Sequence, residues 1–298
     1  MTRINLESEF VMNDPLSMER AINMPAYIAS SELIVKDLES MSDWYQSVIG
    51  LIELSRSEDQ VVLGVGTMEL LLLTENQNAS IAALNVPGLY HNAFLVPSRA
   101  ALVRWFAHAV ELGTTFSGSS DHLVSEAVYL DDPEGNGIEV YRDRSRSEWK
   151  VDSNGTLKVG SFRMNLEALA SKGLGQEWTG MEPGTSLGHI HLKASSYEEV
   201  NSFVQDLLGF DLMLHMSNAW FYSTGGYHHH ISANEWHTKG QPARNDSMTG
   251  LKSYTFKFND RSMFDLVTSR LSDNRYEYTI DGDAVVVRGP SGVDVRLV

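Results

Sequence analysis

A pattern that returns four times along the chain limits its fold more than any other feature. Past Ala26 comes a strand, Ser31-Glu32-Leu33-Ile34-Val35. An amphipathic helix over Asp37–Leu51 follows, closed by Gly50, and then strands over Gln60–Gly64 and Thr67–Thr74. The acidic residue that opens the helix and the glycine that ends it are ordinary capping chemistry. The same order returns as a strand at His189–Ala194, a helix at Ser196–Phe210, and strands holding Trp220-Phe221-Tyr222 and His228-His229-His230-Ile231. The helix end Phe203-Val204-Gln205-Asp206-Leu207-Leu208-Gly209-Phe210 repeats Trp44-Tyr45-Gln46-Ser47-Val48-Ile49-Gly50-Leu51. Residues 88–141 and 250–298 form a second matching pair. In it Ala284-Val285-Val286-Val287-Arg288-Gly289-Pro290-Ser291-Gly292 mirrors Ala127-Val128-Tyr129-Leu130-Asp131-Asp132-Pro133-Glu134-Gly135. A unit of about fifty residues cannot bury both faces of its strands alone, so repetition at this period decides the architecture. The expectation is an α+β protein of four strand–helix–strands modules. An N-terminal arm occupies residues 1–24, modules 1 and 2 residues 25–148, a polar linker 149–186, and modules 3 and 4 residues 187–298. Such a linker lets the halves pair in more than one way.

Charge and composition remove several function classes. The 298 residues include 23 basic and 39 acidic side chains, a net charge of −16 that repels phosphate backbones and anionic membranes. Neither nucleic acid nor membrane is expected as a partner, and the longest apolar run, Leu70–Leu73, is far too short to span a bilayer. The segment from Met1 to Phe10 has no apolar signal core, so a cytoplasmic location is the expectation. There is no cysteine, which excludes disulfides, zinc–thiolate sites, iron–sulfur clusters and thiol nucleophiles. Any metal must therefore bind through nitrogen and oxygen. A homo-oligomer is left open.

Chemistry concentrates between Leu89 and Tyr141. His91 opens one predicted strand, and Glu139 lies in another, ten residues after Tyr129. The cluster Asp132-Pro133-Glu134-Gly135-Asn136-Gly137 between apolar runs reads as a tight turn and nothing more. One imidazole and one carboxylate on separate strands are two thirds of a facial metal triad.

Several short signatures occur in order along the chain. They are Gly88-Leu89-Tyr90-His91, Asp121-His122-Leu123-Val124-Ser125-Glu126-Ala127, Asp132–Glu139, Trp178-Thr179-Gly180, Gly188-His189-Ile190-His191-Leu192 and Gly225-Gly226-Tyr227-His228-His229-His230. With the four-fold repeat, they make the chain resemble the vicinal oxygen chelate superfamily, which includes glyoxalases, bleomycin-resistance proteins and extradiol dioxygenases. Within it the chain looks like the bacterial four-module catechol 2,3-dioxygenases. The resemblance implies βαβββ modules that form two cupped mixed β-sheets flanked by helices, with two modules enclosing a metal. It also implies a non-haem iron(II) enzyme of aromatic catabolism, with manganese(II) a possible substitute, that opens a small aromatic diol with O2.

The repeats show what each module places at equivalent positions. First strands carry Ser30, His91, His189 and Ser253; last strands carry Glu69, Glu139, His229 and Arg296. Pairing module 2 with 3 and module 1 with 4, the arrangement expected, collects His91, His189, Glu139 and His229 in one cup. The resemblance then implies His91, His189 and Glu139 as metal ligands and His229 as the acid–base residue. Tyr129 and His122 would be groups contacting the substrate, although Tyr129 fits core packing equally well. Alternation along a strand sends His229 to one face and His228 and His230 to the other, but a one-residue slip would select a neighbour. His191 reads as a strand residue flanking the site. Pairing in chain order would instead gather Glu69, His91 and Glu139, a site of the glyoxalase-like isomerase or transferase kind. A third reading is a metal-free small-molecule-binding resistance protein.

Overall fold

The computed structural model describes residues 20–153 and 156–298. The first module comprises β1 (Ala26–Val35), α1 (Leu38–Trp44), β2 (Ile52–Arg56), β3 (Gln60–Val65) and β4 (Met68–Glu75). The second comprises β5 (Gly88–Leu95), α2 (Arg99–Glu111), β6 (Gly118–Asp121), β7 (Ser125–Asp131) and β8 (Gly137–Asp143). After α3 (Leu166–Gly173) come β9 (Ser186–Lys193), α4 (Tyr197–Asn201), β10 (Asp211–Met216), β11 (Ala219–Ser223) and β12 (Ile231–Asn234). The last module holds β13 (Gly250–Phe258), α5 (Arg261–Asp273), β14 (Tyr278–Asp281), β15 (Ala284–Arg288) and β16 (Asp294–Leu297).

These strands form two eight-stranded mixed sheets, ordered β14-β15-β16-β13-β1-β4-β3-β2 and β10-β11-β12-β9-β5-β8-β7-β6. Within each module the first strand pairs parallel with the last, as a helical crossover allows. Modules join through antiparallel pairing of first strands, β1 with β13 and β5 with β9. The second and third modules thus share one sheet, and the first and fourth share the other. Side chains alternate across each strand. In β7 and β8, Val128, Leu130, Ile138 and Val140 join the main core with Leu102, Trp105 and Phe106 of α2. Their neighbours Tyr129, Glu139 and Tyr141 face the opposite way.

The repeat extends to a local irregularity. Both α1 and α4 widen into π-helical turns, Tyr45–Ile49 and Ser202–Leu207. The backbone bonds Gly50 N to Tyr45 O and Leu208 N to Phe203 O span five residues. In the first module the Trp105 indole of α2 donates to the Val48 carbonyl at 3.1 Å. Gly50, at φ +85°, leaves room for Trp178, whose ring would stand 2.6 Å from a Cβ there. The Trp178-Thr179-Gly180 signature therefore packs on the end of α1, where Met181 N also bonds the Gly50 carbonyl.

Three sequence expectations change. The expected polar linker, residues 149–186, is part of a folded strap that runs on from β8. The strap carries a Ser145 capping box, a backbone bridge from Phe162 to Asp121, and α3. Helix α3 forms because Asn165 caps the Ala168 N–H and Leu166, Leu169 and Ala170 share one face. Of the N-terminal arm, residues 1–19 lie outside the described residues, while Ala21 and Met24 are buried. The turn at Asp132–Asn136 does more than reverse the chain. Glu134 accepts the Lys36 and Asp37 N–H groups at 2.7 and 3.1 Å, just ahead of α1. Asp132 accepts bonds from Tyr45 Oη, the Asn136 side chain and backbone, and Glu134 N. A β-turn in one sheet thereby clamps the helix of the module that belongs to the other.

Burial pushes the Asp132 carboxyl up to about 6, despite the hydrogen bonds from Asn136, Tyr45 and Glu134 that favour its charge. The folded state holds this proton more tightly than the unfolded chain. Its contribution to stability is therefore complete below about pH 4 and is lost as pH rises through about 6. Urea unfolding of wild type and Asp132→Asn between pH 4 and 7 should show the difference shifting in the variant's favour by up to about 3 kcal/mol. A pH-independent difference would show that Asp132 ionises as freely in the fold as outside it.

Candidate metal centre

Strand register alone brings three donors together. Ala93 in β5 lies opposite His189 of β9 on one side and Glu139 of β8 on the other. His91, two residues before Ala93, shares their face. The three donor atoms form a nearly equilateral triangle. His91 Nε2 is 3.2 Å from His189 Nε2 and 3.1 Å from Glu139 Oε2, and His189 Nε2 is 3.2 Å from that oxygen. The side chains are only 8%, 2% and 4% exposed. Three neighbouring donors on one octahedral ion with bonds of about 2.2 Å stand about 3.1 Å apart, so the triangle fits one six-coordinate cation. Hydrogen bonds alone satisfy it poorly, because two imidazole nitrogens cannot both be served by one carboxylate oxygen and each other.

The charge states suit the same purpose. Burial lowers the His189 imidazole to about 4, leaving it neutral with a free lone pair at neutral pH. Burial opposes the charge of Glu139, yet contact with His189 and His91 holds its carboxyl well below the usual range. The donor set is two imidazole nitrogens and one carboxylate oxygen. Among the described residues, the buried Nδ1 of His189 has no hydrogen-bond partner.

Tyr129, His122, His191 and His229, also singled out in the sequence, surround this triangle and line one cavity of about 620 Å³ with it. The Tyr129 ring lies 5.7 Å from that of His91, and its hydroxyl is 2.8 Å from His122 Nε2. His122 Nδ1 is 2.7 Å from the Gly160 carbonyl, so Nδ1 carries the proton and Nε2 accepts from Tyr129. Burial first, then the Glu139 carboxylate, keep the Tyr129 hydroxyl protonated well above the usual phenol range. His191 bonds Asn234 at 2.9 Å and stacks edge-on to His91 at 4.9 Å. The His229 ring packs 4.0 Å from that of His189.

The histidine triple departs from the strand expected over His228–Ile231. Gly225 and Gly226, both with positive φ, open a turn, and β12 starts only at Ile231. Simple alternation therefore does not hold: His228 and His229 both line the cavity. His230 turns away and is held by Ser223 Oγ and the Ala21 carbonyl. Sequence reasoning missed Asp143, which bonds His228 at 2.9 Å, and missed the cavity walls Tyr90, Phe221 and Trp236. It also missed Gly160 and Ser161 of the strap. The adjoining histidines were the one signal that pointed at His228.

The remaining positions lie elsewhere. Glu69 is exposed on β4, in the sheet that does not contain His91 and Glu139. In that sheet Ser30 bonds Thr255, Arg296 pairs with Asp281 at 2.7 Å, and Ser253 and Lys252 both bond Glu32.

Several known proteins resemble this chain in sequence or fold. The model of the glyoxalase/bleomycin resistance protein/dioxygenase superfamily matches residues 26–140. A catechol-2,3-dioxygenase of Bacillus subtilis (strain 168) is 35% identical over 283 residues, covering 93% of this chain and 99% of that protein. Among solved structures, one from Bacillus subtilis subsp. subtilis str. 168 aligns with a TM-score of 0.62 at 14% identity, over 91% of this chain and 84% of that one. Glyoxalase I from Zea mays aligns with a TM-score of 0.56 at 12% identity, over 93% of each chain. At such identities the structural likeness concerns the fold alone.

Two glycines let the triangle close. A Cβ on Gly137 would stand 2.0 Å from the Tyr90 carbonyl oxygen, and one on Gly188 would stand 1.7 Å from Tyr141 Oη. Gly137→Ala must force β8 away from β5, and with it Glu139 from His91. Gly188→Ala must displace the buried Tyr141 from its place beside His189. Each should cost roughly 1–3 kcal/mol in chemical denaturation, and Gly137→Ala should weaken metal binding as well. Wild-type behaviour of both variants in denaturation and metal titration would contradict this close packing.

Proposed function

Because the chain belongs to the glyoxalase/bleomycin resistance protein/dioxygenase superfamily, we propose that it is an extradiol ring-cleaving dioxygenase acting on a catechol with O2. The single observation that carries this reading is the His91–His189–Glu139 triangle, a two-histidine, one-carboxylate face that suits non-haem iron(II). Similarity to a catechol-2,3-dioxygenase along nearly the whole chain supports the same reading. The isomerase or transferase reading needs Glu69 near His91, and Glu69 lies in the other sheet.

His91, His189 and Glu139 would hold the metal. Iron(II) bound there would supply Lewis-acid binding for both diol oxygens and the redox capacity to bring O2 and the diol into reaction. The chain's own residues do the rest. His229 is kept neutral because burial, then His189 and its other histidine neighbours, lower its pKa well below the ordinary value. It is thus ready to take a proton from the diol and return one later. Tyr129, anchored through His122 to the strap, offers a hydroxyl beside His91. Leu214, Met216, Phe221 and Trp236 give the cavity an apolar wall that would position an aromatic ring. In the overall reaction one ring carbon–carbon bond beside the diol breaks, and both atoms of O2 enter the product.

Anaerobic loading with iron(II), followed by catechol and air, should yield a yellow ring-opened product. His91→Ala, His189→Ala and Glu139→Gln should each lose metal affinity by 10-fold or more together with turnover. His229→Phe should still bind metal but turn over roughly 10²-fold or more slowly. Metal binding by wild type with catechol left intact would overturn the dioxygenase reading.

The lining also sets which catechols enter. None of the described residues around the cavity is lysine or arginine, so a carboxylate on the substrate would be desolvated without a partner among them. Alkyl-substituted catechols should show a kcat/KM at least about tenfold above that of catechols bearing a carboxylate. Equal values would mean that the anionic substituent reaches solvent.

A further inference from the structure

The acid–base residue proposed above is itself held by a hydrogen-bonded chain. Tyr141 Oη lies 2.9 Å from Tyr227 Oη, and Tyr227 donates to Asp143 Oδ2 at 2.8 Å. The other Asp143 oxygen, Oδ1, is 2.9 Å from His228 Nε2, and His228 Nδ1 is 2.7 Å from His229 Nδ1. The His228 side chain is 2% exposed and that of Asp143 19%. Among the described residues nothing bonds His229 Nε2, and that ring lines the cavity beside His189.

Donor and acceptor rules leave one arrangement for neutral imidazoles. A carboxylate only accepts, so His228 Nε2 must carry its proton. His228 Nδ1 is then a lone pair, and the 2.7 Å contact requires His229 Nδ1 to be the donor. The proton of His229 is thus kept on the side away from the cavity, and Nε2 is left bare. We infer that Asp143 and His228 are positioning residues that lock His229 as the Nδ1–H tautomer and aim its Nε2 at the diol. The inference rests on the assignment of His229 as the proton acceptor. When Nε2 takes the diol proton, the Nδ1–H bond toward His228 and Asp143 becomes charge-assisted, which stabilises the imidazolium until the proton is returned. The tyrosine pair belongs to the same device. Because Tyr227 donates to Asp143, an amide at position 143 would turn its oxygen to Tyr227 and its NH2 to His228, reversing every donor further along.

The test is histidine-selective 15N NMR on the metal-free protein, in which two-bond proton–nitrogen correlations distinguish the tautomers without any turnover. Wild type should show His229 protonated at Nδ1. Asp143→Asn should move that proton to Nε2, leave metal affinity and thermal unfolding close to wild type, and slow ring cleavage of the iron-loaded enzyme roughly 10²-fold or more, mainly in kcat. His228→Gln, whose amide can donate to Asp143 and accept from His229, should restore the Nδ1–H form and most of the activity. His228→Leu should leave His229 without a single tautomer, and it serves if Asp143→Asn does not fold. A His229 protonated at Nε2 in wild type, or unmoved in Asp143→Asn and His228→Leu, would overturn the relay. Unchanged turnover in His229→Phe would instead overturn the acid–base assignment beneath it, so the two failures are told apart.

Discussion

The antiparallel junction of β5 with β9 is the contact on which the site depends. It places His189 across from Ala93 while the parallel pairing with β8 places Glu139 on the other side of the same residue. Three donors from three strands thus converge without a loop to carry them, and the precision is that of a hydrogen-bonded ladder. Side chains alternate with a period of two, so a one-residue slip in either pairing would turn a donor into the core. Ala93, fully buried between the donors, has to stay small, because a longer side chain would occupy the space the three donors enclose. A metal held by strands rather than loops loses little ordering entropy on binding and keeps its ligand geometry when a substrate arrives.

The two sheets divide the work. The sheet of β5 and β9 carries the buried histidines and the cavity. At comparable depth, the sheet of β1 and β13 carries Glu32, which is neutralised by Lys252 and bonded by Thr74 and Ser253. That arrangement satisfies a carboxylate internally and leaves no lone pairs aimed at a guest. The second sheet still acts on the first through its connections: the turn leading into β8 is clamped to α1 by Glu134 and Asp132. The strand that bears Glu139 is therefore tethered at its start to a module lying in the other sheet.

The repeat made the module architecture legible because strand–helix–strands periodicity, capping residues and glycine stops are local properties. The positions of His91, His189 and Glu139 could be matched across modules for the same reason. What escaped was anything set by irregular backbone. Residues 149–186 read as a linker because the order of the strap comes from single bridges, such as Phe162 to Asp121, rather than from periodic burial. The histidine triple looked like a strand, yet two left-handed glycines turn it so that adjacent side chains bond each other. Asp143 gave no signal because its partner is 85 residues away, and nothing local separates a buried relay carboxylate from a solvated one.

Electrostatics links the relay to the choice of substrate. The chain carries a net charge of −16, and among the described residues the cavity lining offers carboxylates but no lysine or arginine. An already ionised diol would meet repulsion on approach and desolvation on entry. On the dioxygenase reading proposed above, a neutral catechol would meet neither and would be the form that reaches the triangle. Its charge would then be created inside, where a dication held by His91, His189 and Glu139 would supply compensating positive charge. A proton acceptor must then stand ready within the cavity in the right tautomer, because buried imidazoles cannot exchange protons freely with water. A neutral entry path therefore demands a fixed base at its end, and the chain from Asp143 through His228 is built to present one.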